Sequence, residues 1–394
     1  MRTRNRIILS GLMSCLLLLW GVGMPSQARA ADGDGFTVGG AVRYNLFLQN
    51  YESPVNANDG QFTWDTWRIN VSGTTDGITL DFEYRFYPTF GTNFIHHGYL
   101  GYDFSPQTNM QLGVSQVPFG ILKYASHSWW FVTPYYVGLE DDYDMGVKFT
   151  HTMNNVEIDA AYYYQPEPSG PAPGDVSYGI GGSGRYSYDI IPSGNQSNQE
   201  RHQFNGRVAY TIDHGSLGSS TVGVSGQYGG IYNSVLQEYG SHMAFAAHLN
   251  GNYGRFNVKA EYIYFDHNAK DNNGNPVDVV LMGAYGSGTY PVAAQASMYS
   301  LGVSYGLPVD IGPITKLTFY NDYTLTQKAV ASFANTQQNI LGFMITAGSV
   351  YTYCDIASGV NQPWLTDSFG TGLGQGVADA GWNTRYNINI GYYF

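Results

Sequence analysis

Residues 382–394 read WNTRYNINIGYYF, and every second side chain back from Phe394 is apolar or aromatic: Tyr392, Ile390, Ile388 and Tyr386. The interleaved set, Tyr393, Gly391, Asn389, Asn387 and Arg385, is mostly polar. Successive side chains of a strand point to opposite faces, so the segment describes a strand with one apolar and one polar face. The pattern recurs upstream. ITLDFEYRF sets Ile78, Leu80, Phe82, Tyr84 and Phe86 against Thr79, Asp81, Glu83 and Arg85. VEIDAAYYY sets Val156, Ile158, Ala160 and Tyr162 against Glu157 and Asp159, and FNVKAEYIY sets Phe256, Val258, Ala260, Tyr262 and Tyr264 against Asn257, Lys259 and Glu261. A soluble sandwich also alternates, but its outward face is charged and its inward face holds fewer tyrosines. The apolar faces here are therefore assigned to lipid and the charged faces to an aqueous interior.

Composition narrows the choice. The 394 residues include 18 Lys+Arg and 30 Asp+Glu, and only 12% are charged, against about 25% in an average soluble domain. Glycine (50) and tyrosine (34) fill the gap, while a mean hydropathy of −0.22 is too polar for a bundle of membrane helices. Abundant aromatics exclude disorder, and the net charge of −12 excludes a basic nucleic-acid binder. Residues 1–30 are expected to be an export signal: Arg2, Arg4 and Arg6, an apolar run containing LLLLW, then Ala28-Arg29-Ala30 as the cleavage site. Residues 31–394 then form a single domain whose one cysteine, Cys354, allows no internal disulfide. Cys15, after LMS, is a weaker lipidation spelling, because cleavage there would leave LLLLWGVG on the mature end.

Connections alternate between short and long. The short ones lie at 74–77, 105–108, 152–155, 213–217, 252–255, 308–313 and 347–349. The long ones lie near 51–60, 87–93, 118–142, 166–200, 231–241, 266–294, 325–337 and 359–380. Short periplasmic turns and long external loops are the habit of outer-membrane barrels. The expected fold is thus all-β, an antiparallel transmembrane barrel of about 16 strands, the count that seven turns and eight loops require. The stretch 166–200 is rich in Pro, Gly and Ser and is an external loop. No composition shift marks a plug domain, and a plugged transporter needs about 22 strands.

The chain end resembles the closing strand of bacterial outer-membrane barrels, which terminates in Phe. That resemblance makes Tyr386, Ile388, Ile390, Tyr392 and Phe394 the signal for the barrel-assembly machinery and places the chain in the outer membrane of a Gram-negative bacterium. Within that class, LGVSQVPFGI (112–121) followed by aromatics and DYDMGVKF (142–149) is similar to the phosphate-selective porin O/P type. TKLTFYNDYTLTQK (315–328) fits the same type. The resemblance implies a passive diffusion channel for small hydrophilic solutes and ions. By analogy with 16-stranded porins it also implies a homotrimer, and a third loop, here 118–142, folded inward to constrict the pore. One departure stands out. Phosphate selection uses clustered Lys and Arg, and this loop holds Lys123 alone.

The constriction candidates are Lys123, His127, Trp129, Trp130, Glu140, Asp141 and Asp142. The two tryptophans are either interfacial or wall packing, or a stacking surface for planar solutes. The acidic run is either solvated loop or a cation-favouring mouth. Strand parity points Arg43, Arg68, Asp81, Glu83, Arg85, Asp144, Lys148, Glu157, Asp159, Arg207, Lys259, Glu261, Lys316, Asp322 and Arg385 at the lumen. Both signs nearly balance in that set, which predicts a transverse field without strong exclusion of either ion.

Other signals carry less. Gly302-Val303-Ser304-Tyr305-Gly306 spells a nucleophile elbow but lies within a strand pattern, not strand–turn–helix. His96 and His97, adjacent on one strand, are expected on opposite faces. DNNGNPVD (271–278) is explained by turn chemistry. No cofactor, metal or catalytic group is implied. The rival readings are a barrel enzyme of lipase or protease type, which needs a Ser/His or acidic constellation near a rim, and a closed-barrel adhesin or receptor.

Overall fold

The computed structural model describes residues 35–51, 60–171, 183–286, 289–366 and 371–394. The expected export signal and Cys15 lie outside these residues, as does part of the 166–200 loop. The first seven strands are β1 (Gly35–Gln49), β2 (Gln61–Thr75), β3 (Ile78–Tyr87), β4 (Thr92–Ser105), β5 (Thr108–Gln116), β6 (Tyr143–Met153) and β7 (Val156–Pro166). Next come β8 (Asp189–Ile190), β9 (Asn198–Asp213), β10 (Ser219–Asn233), β11 (Glu238–Tyr253), β12 (Phe256–Asn268), β13 (Val279–Gly283) and β14 (Thr289–Ala293). The chain ends with β15 (Gln295–Ile311), β16 (Ile314–Lys328), β17 (Thr336–Ala347), β18 (Val350–Val360) and β19 (Asn383–Tyr393).

Three of these strands, β8, β13 and β14, form a small separate sheet at the long-loop end, and the other 16 close into one antiparallel barrel. Every expected turn and long connection falls between barrel strands, but the expected long connections after β3 (88–91) and β10 (234–237) are themselves tight, so the alternation of short and long lapses at those two places. Closure is made by β19 against β1, in register from Ala41↔Tyr393 to Gln49↔Arg385. Beyond that ladder Phe394 N–H donates to the Gly40 carbonyl (3.0 Å) and Gly40 N–H donates to the Phe394 carbonyl (2.9 Å). A closed sheet leaves no unpaired edge, which a lipid environment demands.

Alternation fixes what each face meets. On β19, Tyr386, Ile390, Tyr392 and the terminal Phe394 are exposed, while Arg385, Asn387 and Asn389 are buried. Leu48, Phe62, Leu112, Phe204, Leu301 and Leu341 are likewise exposed around the circumference. A continuous belt of this kind far exceeds what a soluble protein shows to water, and the strands are long enough to cross a bilayer. No helix among the described residues is long and apolar enough to cross a membrane. Within the barrel, loop residues bury Trp130, Tyr135, Tyr136, Tyr186, Tyr188 and Leu365 in one cluster with strand residues Phe94, Tyr163 and Phe265.

Two β-bulges alter the period-two reading. In the β1–β2 pair the register shifts at Arg43/Tyr44, whose partners are Thr66 and Trp64, so Asp65 is the extra residue. In the β3–β4 pair Glu83 faces His97 and Tyr84 faces Ile95, leaving His96 extra. A bulge turns two consecutive side chains toward the same face. His96 and His97 therefore do not point to opposite faces: their Nδ1 atoms are 2.7 Å apart.

Candidate pore and constriction

The connection between β5 and β6 folds into the barrel and is anchored residue by residue to the opposite wall. Gly120 N–H donates to Ser225 Oγ (2.8 Å) and its carbonyl accepts from Arg207 Nε (3.0 Å). Ile121 N–H donates to Glu261 Oε1 (3.0 Å). Lys259 Nζ donates to the carbonyls of Tyr124 and Ser126, both at 2.8 Å. Asp322, fully buried on β16, accepts from the backbone N–H groups of His127 (2.8 Å) and Ser128 (2.9 Å) and lies 2.7 Å from His127 Nδ1. His127 Nε2 meets Asn257 Oδ1 at 2.6 Å, and Gln338 donates to the Phe131 carbonyl at 2.7 Å. Gly120 suits its place because φ is +62° and a Cβ would stand 2.1 Å from Glu261 Oε1. Among the residues assigned to the wall, Arg207, Lys259, Glu261 and Asp322 thus hold the loop in place.

The acidic run 140–142 is neither solvated surface nor mouth, because all three side chains are buried. Glu140 Oε1 accepts the N–H groups of Ala125 (2.9 Å) and Ser126 (3.3 Å), tying the loop's end to its middle. Asp141 accepts from the hydroxyls of Tyr186 (2.5 Å) and Tyr143 (3.1 Å) and from Gln116 (3.2 Å). Burial pushes Asp141 up to about 6, opposed in part by the hydrogen bond from Tyr186. Burial also raises Glu140 well above the usual carboxylate range, reinforced by repulsion from Glu261 and Asp141.

With these acids turned inward to the packing, the charges around one of the two cavities in the lumen are mainly basic. A cavity of about 550 Å³ lies between the loop and the wall built from β1–β3 and β16–β19. Its charged lining is Arg43, Arg68, Arg85, Lys259, Lys316 and Arg385, with Asp65 as the one acid. The balanced wall expected from parity does not hold around this cavity. Arg43 Nε pairs with Asp65 (2.9 Å), Arg68 pairs with Glu83 (3.2 Å), and Arg85 also bonds Glu83. The Arg85 guanidinium lies 4.5 Å from the Tyr186 ring centre, and that of Arg385 lies 3.7 Å from Phe47 and 5.1 Å from Trp130. Such cation–π contacts hold the guanidinium planes against the wall without neutralising them.

Trp129 and Trp130 meet edge to face at 5.7 Å on the loop inside the barrel and line this cavity, so neither is part of the lipid interface. A second cavity of about 970 Å³ opens toward the short-turn end and is lined by Asp81, Lys123, Lys148 and Glu157 among others. Both cavities share Arg68, Arg85 and Tyr124, which makes those three side chains the neck between them. Of the two remaining parity assignments, Asp159 is paired with Arg207 at 3.0 Å, and Asp144 is buried and accepts from Gln203 at 3.1 Å.

Parity missed Asp65 because a bulge displaces it. It also missed the aromatic roof that Tyr186, Tyr285 and Trp364 contribute from three external loops. His96, His97 and Glu83 lie close enough to share a metal ion. Glu83, however, already accepts from Arg68, Arg85 and Asn70, the two Nδ1 atoms face each other, and His97 Nε2 lies 3.3 Å from Asp81 Oδ1. The sequence Gly302–Gly306 lies within β15, with no strand–turn–helix around Ser304. Asp271 accepts the N–H groups of Asn273 and Asn275, both at 2.9 Å, as turn chemistry requires.

No family model matches the chain, and no curated protein sequence matches it. Solved structures do. OmpT of Vibrio cholerae, described as outer-membrane expressed, is 14% identical with a TM-score of 0.55, over 92% of this chain and 99% of that one. The outer-membrane channel DcaP of Acinetobacter baumannii is 10% identical with a TM-score of 0.57, over 95% and 100%. The anion-selective porin from Comamonas acidovorans is 13% identical with a TM-score of 0.55, over 92% and 100%. At these identities the likeness is one of fold: the chain is a 16-stranded barrel of the outer-membrane kind.

Proposed function

We propose that the chain is a porin of a Gram-negative outer membrane, exported by residues 1–30, folded by the barrel-assembly machinery and assembled as a homotrimer. Small hydrophilic solutes and ions diffuse through it down their gradients, past the constriction made by the loop at 118–142. The observation that carries the reading is a closed barrel whose inner loop leaves a cavity of about 550 Å³ lined by Arg43, Arg68, Arg85, Lys316 and Arg385. Fixed cations in a narrow, low-dielectric passage raise the local concentration of anions, so the pore favours anions. Transport of this kind needs no cofactor and no catalytic side chain. The channel named in one solved structure and the anion selectivity named in another agree with this reading.

The test is the reversal potential of the purified protein in a planar bilayer under a potassium chloride gradient. A stable conductance with anion preference is expected. A cation preference, or no conductance from folded protein, overturns the proposal. Inorganic phosphate added to the chloride current tests the narrower likeness to the phosphate-selective type, for which saturable block is the expected sign.

A further inference from the structure

Five carboxylates from separate elements converge beneath the outer loops. Asp142 ends the inner loop, Asp144 begins β6, Glu167 follows β7, Asp189 is in β8, and Glu200 is near the start of β9. One ligand oxygen from each of Asp142, Asp144 and Asp189 lies within 4.8 Å of the others. The nearby cation is Arg185, whose Nη1 is 3.6 Å from Asp189 Oδ2. Several of these groups use one oxygen on protein donors. Glu167 Oε1 accepts the N–H groups of Tyr186 (3.1 Å) and Ser187 (2.8 Å). Asp144 Oδ2 accepts from Gln203 (3.1 Å), and Glu200 Oε1 accepts from Ile190 N–H (2.9 Å).

The second oxygens are left over. Asp142 Oδ1, Asp144 Oδ1 and Glu167 Oε2 are buried without a hydrogen-bond partner. Glu167 is an observation separate from the trio: its side chain is 0% exposed, and it exerts the strongest like-charge repulsion on both Asp142 and Asp189. An unpaired buried carboxylate is costly, and several together more so.

We propose that Asp142, Asp144, Glu167 and Asp189, with Glu200 beside them, bind a calcium ion that clamps the loop after β7 to the base of the inner loop. Calcium takes oxygen ligands at about 2.3–2.6 Å, so ligands on opposite sides of one ion stand about 5 Å apart. One oxygen from each of Asp142, Asp144 and Asp189 stands inside that limit, all within 4.8 Å of one another, and Glu167 and Glu200 lie outside this trio. Magnesium needs a tighter octahedron and keeps several waters. The absence of His and Cys among these ligands disfavours zinc and copper. The clamp bears on transport, because Tyr186 and Tyr188 flank the site and also line the cavity. It stands apart from the porin reading, since binding is measured without any transport.

The experiment is calorimetric titration of calcium chloride into the chelator-stripped, full-length protein in detergent. Terbium luminescence, excited through the nearby tyrosines, serves as a second readout. Saturable binding of a single ion per chain is expected, with calcium displacing terbium. The Asp142→Asn/Asp189→Asn double variant weakens binding by roughly a hundredfold, and Asp271→Asn, on an exposed turn, leaves it unchanged. If the double variant does not fold, Glu167→Gln, checked for barrel circular dichroism, takes its place with the same expectation. No saturable binding to folded wild type, or binding unchanged by these substitutions, overturns the proposal and assigns protons to the cluster instead.

Discussion

At the scale of single residues, selectivity depends on which charges are free to face solute. Asp322, Glu261 and Glu140 lie inside the barrel, but the carboxyl oxygens of each accept backbone N–H groups of the inner loop. Arg43, Arg68, Arg85 and Arg385 are held by ion pairs or rings on the opposite wall and keep an edge on the cavity. Lys316 is the clearest probe, being exposed within the barrel and lining that cavity. Lys316→Glu is expected to move the reversal potential toward cations while changing stability by about 0.5 kcal/mol or less, as at an ordinary exposed site. An unchanged reversal potential, read in the same potassium chloride gradient, would remove Lys316 from the conducting path. Local alternation was enough to turn these basic residues inward. It could not find Asp65 or pair His96 with His97, because a bulge inserts one residue and leaves no mark in composition or period.

At the scale of elements, the turns and loops were legible because each hairpin is a local event. Positive-φ residues such as Asp76 and Asn154 sit where the chain must reverse in two residues. The docking of the inner loop was not legible, since its partners lie more than 100 positions away in sequence. Its burial nevertheless has a measurable sign. Asp141 titrates at about 6 when docked, against an ordinary value of 3.8, because burial disfavours its charge. The docked state therefore binds the proton more tightly than the unfolded chain does. Stability should rise as pH falls from about 6 toward about 4, by at most about 3 kcal/mol from this group, and stay level below that. Glu140 and Asp142 are shifted in the same direction, so the difference between wild type and Asp141→Asn isolates the one residue. Asparagine accepts the backbone there, where φ is +49°. Guanidinium unfolding midpoints at pH 7, 5 and 4 should show a smaller gain on acidification in the variant. Equal gains would mean that Asp141 is already protonated or solvated at neutral pH.

At the scale of the whole molecule, the barrel supplies a wide passage and the outer loops decide how much of it stays open. Tyr285 is the centre of their packing, with ring centres 4.9 Å from Tyr87, 5.7 Å from Phe94, 5.7 Å from Tyr186 and 6.0 Å from Tyr188. Its hydroxyl also meets that of Tyr135 on the inner loop. Tyr87 and Phe94 stand on β3 and β4 while the other rings come from three connections far apart in the chain, and the high aromatic content of the sequence gave no sign of which would meet. Tyr285→Gly removes the ring and suits the backbone, whose φ is +58°. Tyr285 is half-buried, so losing its ring costs less than the roughly 3–5 kcal/mol of a fully buried aromatic, and that loss falls on the roof, outside the hydrogen-bonded ladder of the barrel. The expected result is a larger single-channel conductance with the same reversal potential, because the basic wall is untouched while the roof opens. A larger conductance with weaker anion preference would mean that Tyr285 also sets the position of Arg85 through Tyr186. An unchanged conductance would instead place the limiting resistance at the neck formed by Arg68, Arg85 and Tyr124. In that case Tyr124→Ala, which widens the neck from the loop side without removing a charge, becomes the substitution that must raise the current.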